Sequence, residues 1–385
     1  MEHPCIFLDR AELAGLVDKA KAPSSDWGKA YRQLLAAGKA ARAQPALSVT
    51  FAGPAPASGD EHDYATEPPY GKKDGVANKS ADRSDYMAAI KLGKSVRNLG
   101  LTYALTGKGE YADKAIELIN AWCINPKTRM NPKFTNQQSK IELCITMPGM
   151  FYGSDLIWGY PRWDREHRAA YRQWVGTLVK AAMHWRRDNN FENWRLVLVS
   201  SGAIIAGNEK ARKYAFARWK VLLDHQMNDD GSMKYELGRT NSLSYSLYAI
   251  NAMVQTAEIA RHFGVDLYRW RSPKGRHLAL ALDFHARYAL DPKQWTREQM
   301  HPYKGLSAAF MLSDGSIMDL SMCPECAEAP DLYLLWEVVM GGWLAEPKTA
   351  TDRPTVRDDY VMKQFERGTF ILDLFYSEKW TEIAP

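Results

Sequence analysis

What most constrains this chain is the spacing of its apolar residues. It recurs at 3.6 over most of the length and is broken by brief clusters of Gly, Pro, Asn and Asp. The spacing predicts helices over 10–21, 26–43, 83–106, 110–122, 140–158, 165–186, 191–206, 209–227, 242–263, 275–289, 297–312 and 327–344. The breaks include Thr106-Gly107-Lys108-Gly109, Gly159-Tyr160-Pro161, Ala206-Gly207-Asn208 and Asp229-Asp230-Gly231. Long helices on short connections pack as antiparallel pairs. No fixed repeat length is visible, so the expected fold is all-α, a closed or arched (α/α) toroid, rather than a regular solenoid. A single domain over 1–385 is expected. Strand-like material is thin, and 368–376 reads as either type.

Residues 45–82 interrupt the helical pattern with a Pro- and Gly-rich stretch holding His62-Asp63-Tyr64 and Pro68-Pro69-Tyr70-Gly71-Lys72-Lys73. Long irregular segments inside compact chains often serve as binding loops. Tyr64, Tyr70 and Lys72 are candidates for a wall over an acidic ligand.

Composition removes several classes. With 46% apolar and 25% charged residues, the chain can bury a substantial core. No run of eighteen apolar residues exists, which argues against a membrane partner. The net charge of +5 is scattered and no nucleic-acid motif is present, so nucleic acid is not an expected partner. The 13 Trp and 19 Tyr exceed what a helical core needs; such rings form platforms for the C–H faces of sugars. Cys323 and Cys326 have CxxC spacing, but no second pair completes a zinc site, and no metal or other cofactor is expected. The loop at Asn228 to Gly231 hints at calcium, yet its twelfth position is Leu237 rather than Glu. GxGxxG, P-loop and GxSxG motifs are missing.

Three clusters carry candidate chemistry. In the first, Glu236, Arg239 and Tyr245 surround a helix start. Two residues six apart in one helix point about 240° apart at roughly 100° per residue. Arg239 therefore belongs to the entry loop, with Thr240 or Asn241 as N-cap and Tyr245 in the first turn, so that both side chains converge on one ligand. The second is Asp188-Asn189-Asn190-Phe191-Glu192-Asn193-Trp194-Arg195, at a helix boundary. The third, Asn131 to Lys140, is amide-rich at a helix entrance and includes Asn136 and Gln137.

These clusters resemble the alginate-lyase superfamily over roughly residues 60 to 300, nearest polysaccharide lyase families 5 and 38. The likeness lies in Ala115 to Trp122, Thr128 to Pro132, Asn189-Asn190 with Trp194, Glu236 to Tyr245, and His62-Asp63-Tyr64 with Pro69-Tyr70. It implies an (α/α) toroid and metal-independent β-elimination on 1,4-linked uronans. Position by position, Tyr245 would be base and acid, Arg239 would orient the substrate and support its carboxylate, and Asn190 would neutralise that carboxylate. Asn136, Gln137, Asn189, Glu192, Trp194, Glu236 and His301 would line the cleft with the loop residues. An acidic polysaccharide is the expected partner, and such a substrate favours a periplasmic or secreted location. The start at Met1 carries no leader pattern, which fits either a cytoplasmic chain or an export signal removed upstream.

One position departs from many relatives: Phe191 stands where they carry a histidine directly after the paired Asn. Either Tyr245 performs both proton steps, or Glu192, Glu236 or His301 takes one over. In β-1,4-linked glucuronate and mannuronate, H5 and the O4 leaving group share a face of the ring, so one residue can serve both steps. Glucuronan is the preferred substrate on this reading, with poly-mannuronate next. A glycoside hydrolase using Glu192 and Glu236 and a non-catalytic binder of acidic polysaccharide are the alternatives.

Overall fold

The computed structural model describes residues 2–300, apart from 7, 21–25, 52–55, 72, 73, 75, 77, 279, 282, 283, 286, 287 and 289–291. Expectations resting on Lys72, His301, Cys323, Cys326 and the helix at 327–344 therefore lie outside the described residues.

Among the described residues the α-helices are α1 (Arg10–Ala20), α2 (Asp26–Arg42), α3 (Ser84–Thr106), α4 (Gly109–Cys123), α5 (Gln137–Leu156), α6 (Arg165–Ala182), α7 (Asn190–Ala206), α8 (Glu209–Gln226) and α9 (Ser242–Arg261). Local chemistry sets their ends. Gly107 and Gly207 close α3 and α7 in the left-handed region, at φ 69° and 67°. Asp164, Asn189 and Asn208 cap α6, α7 and α8, and Asn136 with Ser139 forms a reciprocal capping box on α5.

α3, α5, α7 and α9 pack in sequence as an inner wall, with α4, α6 and α8 outside. Burial follows from sequence. α7 is buried nearly throughout, whereas α6 and α8 bury one stripe, including Tyr171, Trp174 and Leu178 on α6. This is the (α/α) toroid expected. Two differences stand out. α5 begins at Gln137, three residues earlier than the apolar pattern indicates, because Asn136 caps it there. The described part of the expected 297–312 helix is not helical: Gln299 bridges to Asn241, and Glu298 O accepts the Ser242 N–H at 3.1 Å. This strand-like segment caps α9 in place of the Asn241 side chain.

Close approach of α3 and α5 depends on glycine. A Cβ at Gly153 would meet the Val96 carbonyl oxygen at 2.1 Å, and one at Gly100 would meet the Gly153 oxygen at 2.4 Å. Both obstacles are backbone. Gly153→Ala should cost about 1–3 kcal/mol or more, read as a lowered midpoint in thermal melts. Gly15→Ala, with nothing within 4 Å, should be neutral or mildly stabilising.

The 45–82 stretch has no helix among its described residues and is pinned to the α4–α5 connection. Asn131 Nδ2 donates to Asp63 at 2.7 Å and Asp60 at 2.9 Å, and Thr135 Oγ1 donates to Tyr64 O at 2.7 Å. Asn136 Nδ2 donates to Thr66 O at 2.8 Å. Amide and hydroxyl donors of the third cluster thus dock the loop, meeting its Asp60 and Asp63 carboxylates and the Tyr64 and Thr66 carbonyls that its turning backbone leaves open.

Candidate active site

The inner helices all begin at one end of the toroid, where their unpaired N–H groups favour negative charge. A cleft of about 140 Å³ opens there, between the loop and the starts of α3, α5, α7 and α9. Its lining comes from Pro69 and Tyr70; Arg83 and Tyr86; Gln138, Ile141, Glu142 and Ile145; Asn190 and Phe191; and Arg239, Ser244, Tyr245 and Tyr248.

Arg239 precedes α9 and Tyr245 lies in its first turn, so the two meet. The guanidinium carbon is 3.6 Å from the Tyr245 ring centroid. The Tyr245 hydroxyl donates to the Tyr70 hydroxyl at 3.1 Å. Arg239 is also paired with Asp74, through Nε at 2.8 Å and Nη2 at 2.9 Å. Two effects oppose each other at the Tyr245 phenol. Burial raises it, Arg239 pulls it down, and burial wins, leaving it above its ordinary value. For Arg239 burial works against the charge, but Asp74, Tyr245 and Glu236 outweigh it and hold the guanidinium more firmly charged.

Glu236 is buried behind this pair. It accepts the Asn190 backbone N–H at 2.8 Å, and Asn190 Nδ2 lies 3.0 Å from both its oxygens. Burial raises its carboxyl against the pull of these bonds and of Arg239. Asn190 therefore reaches the cleft, but its amide nitrogen is engaged by Glu236 in this state.

The remaining expected ligands divide. Tyr70 lines the cleft. Tyr64 is fully buried beneath it, donating to Glu142 at 2.9 Å. Asn136 and Asn189 are helix caps, and Gln137 accepts from Arg187 Nη2 at 2.7 Å instead of facing the cleft. Trp194 is buried and stacks against Tyr248, with centroids 4.8 Å apart. Glu192 is wholly buried and bound to Arg195 and Arg218. Glu192 and Trp194 are thus buried rather than exposed to the cleft, while Asn136 and Gln137 are exposed beside it and engaged by Thr66 and Arg187. Helical rotation turns the first two inward to the packing between helices, and capping consumes Asn136. Of the hydrolase alternative's two carboxylates neither is in the cleft lining: Glu192 and Glu236 are both buried and bonded to neighbouring groups.

Sequence reasoning missed Arg83, Tyr86, Gln138, Glu142, Tyr248 and Asp74. Gln138, Ile141, Glu142 and Ile145 lie at i, i+3, i+4 and i+7, a readable single face of α5. Glu142 is buried, accepts from Gln138 at 2.8 Å and pairs with Arg83, which stacks 4.2 Å from the Tyr86 ring centroid. Burial pushes its carboxyl up against Arg83. Nearby, burial pushes the Asp85 carboxyl up to about 7, opposed by the Ala65 N–H.

A larger cavity of about 650 Å³ borders the end of α8. Several of its cations are already paired: Arg218 with Asp188, Lys274 with Asp224 and Arg276 with Asp229. Two groups with metal-ligand geometry, His3–Cys5–Asp155 and Asp9–Glu12–His262, lie at the opposite end of the toroid, by the C-termini of α5 and α9. Asp155 there accepts the Cys5 and Ile6 N–H groups at 2.8 Å, tying down the N-terminal segment. No described helix is long and apolar enough to cross a membrane.

The arginine–tyrosine pair thus stands in a cleft over the helix N-termini of a helical toroid. The family model described as alginate lyase matches residues 38–295, and the chain belongs to that family. It is a polysaccharide lyase acting on an alginate-like polymer. Among solved structures it is similar to an alginate lyase from Bacteroides ovatus, at 22% identity over 98% of this chain and 100% of that one, TM-score 0.79. It is also similar to alginate lyase A1-III from Sphingomonas species A1, at 20% identity over 82% and 91%, TM-score 0.57. A variant of A1-III complexed with tetrasaccharide matches at 18% identity over 76% and 82%, TM-score 0.54. No match is found among curated proteins.

Proposed function

We propose that the enzyme cleaves β-1,4-linked glucuronan by metal-independent syn β-elimination, with poly-mannuronate the next substrate. The observation that carries this is the Arg239–Tyr245 stack in a cleft that has Phe191 and no histidine among its described lining residues. In this mechanism Tyr245 removes H5 and returns the proton to O4 as the C4–O4 bond breaks, both on one face. The carboxylate that develops enolate character is met by Arg239 and by the donors at the start of α7. This demands a sugar whose H5 and O4 share a face, which glucuronate and mannuronate both satisfy.

The apolar wall favours glucuronate of the two. Its ring hydroxyls are all equatorial, so it offers C–H groups to Phe191, Ile141 and Ile145. Mannuronate carries an axial 2-hydroxyl that loses water there without a partner.

The test is ultraviolet absorbance from the conjugated C4–C5 double bond on a panel of uronans. Glucuronan giving the highest kcat/KM supports the proposal. New reducing ends without absorbance would overturn elimination, and guluronan turned over as fast as glucuronan would overturn the syn geometry.

A pH dependence follows from the raised phenol. Its basic form grows about tenfold per pH unit below its pKa, which stands above the usual value of about 10. The rate should therefore climb from neutrality through the alkaline range. Arg239→Met removes the cation that opposes burial, so its profile should shift to still higher pH. A flat profile would exclude a neutral Tyr245 as the resting state.

A further inference from the structure

Arg239 does not offer the cleft an open guanidinium. Its Nε donates to Asp74 Oδ2 and its Nη2 to Oδ1, the two-point geometry with which arginine takes a free carboxylate. Thr240 Oγ1 donates to the same carboxylate at 3.2 Å, and the third guanidinium nitrogen faces Glu236 at 3.7 Å. The loop holding Asp74 closes on itself through Gly71 N–H to Val76 O at 2.9 Å and Asn78 N–H to Pro69 O at 2.7 Å. It reaches the site at two points, Tyr70 on Tyr245 and Asp74 on Arg239, which are the two residues given the chemistry above.

We infer that Asp74 sets the apparent affinity of the site for its substrate, as a built-in stand-in for the substrate's carboxylate that an incoming uronate must replace on Arg239. This rests on the reading that Arg239 receives that carboxylate. Two carboxylates on one half-buried guanidinium repel, so binding is an exchange: the uronate takes the two-point contact and Asp74, itself partly exposed, moves to water. A neutral glycan has nothing to exchange. It can displace Asp74 only by leaving Arg239 short of a partner, so it bears the full cost of breaking the pair, which a uronate recovers on Arg239. The same contact weakens apparent substrate affinity by the fraction of molecules in which Arg239 is free.

The experiment compares the wild type with Asp74→Asn and Asp74→Ala, in both kinetics and binding. The ligand is a saturated β-1,4-glucuronate hexamer, with binding measured calorimetrically in a Tyr245→Phe background. A neutral cellohexaose is the control ligand. The expected result is a KM and a Kd for the acidic hexamer about three- to tenfold lower in both variants, with the preference for it over cellohexaose no smaller than in the wild type. An unchanged or weaker Kd would overturn the inference; loss of kcat at unchanged Kd would assign Asp74 the role of orienting Arg239 instead. The two failures separate cleanly. A wild type that forms no unsaturated product from any β-1,4-uronan defeats the proposed function, whereas an active wild type with no tightening in the variants defeats only this inference.

Discussion

Tyr245→Phe should lower kcat for unsaturated product by about 10²–10⁴-fold while leaving the fold intact. The substitution removes one oxygen atom, which donates to the Tyr70 hydroxyl at 3.1 Å, and keeps the ring on which Arg239 stacks. Charge placement and cleft shape are thus preserved and the proton carrier alone is lost. KM should change little, because the ring and the guanidinium supply the binding contacts. Initial rates from ultraviolet absorbance with a parallel thermal melt make the measurement. Near-normal turnover in a folded variant would sink the single-tyrosine mechanism, and Glu236 would then be the first carboxylate to examine.

The largest stability effect is expected at Glu192. Its Oε2 accepts Arg195 Nε and the Arg187 N–H, both at 2.9 Å, and its Oε1 accepts Arg218 Nε at 2.9 Å. Arg195 also donates to Ala182 O at 3.2 Å and the Tyr214 hydroxyl at 3.1 Å. Burial opposes the ionised carboxylate, yet the two arginines prevail and hold its carboxyl below the usual range. Glu192→Leu leaves Arg195 charged, fully buried and without its counter-ion, which should cost about 3–5 kcal/mol. Denaturant midpoints measure this. The Glu192→Leu/Arg195→Leu double variant should be less destabilised than Glu192→Leu alone, since it removes the stranded charge. A single variant as stable as the wild type would show that the pair contributes nothing net.

The fates of Glu192 and Tyr245 mark where sequence reading succeeds. Both sit close to helix starts in polar clusters. For Tyr245 the angular argument about Arg239 was sufficient, because six residues of helix cannot bring two side chains together while a loop and a first turn can. For Glu192 the neighbouring Asn189 and Asn190 suggested a ligand, but Arg195 at i+3 and Arg218 on α8 claim the carboxylate. The i+3 partner was readable; the α8 partner was not. Gln138 shows a smaller version of this difficulty, as the helix phase at α5 places it, and not Gln137, on the cleft face with Glu142.

What the sequence by itself determined is what depends on neighbours along the chain. Most helix spans, the glycine and asparagine ends, the all-α class and the Arg239–Tyr245 convergence follow from 3.6 periodicity, capping and local angles. Tertiary structure alone decided which polar groups remain available to a ligand. Asp74 reaches Arg239 across 165 positions, and Asn136 is spent on Thr66 across 70. No local rule reports such pairings, because a buried donor or acceptor takes whichever partner the fold brings within reach.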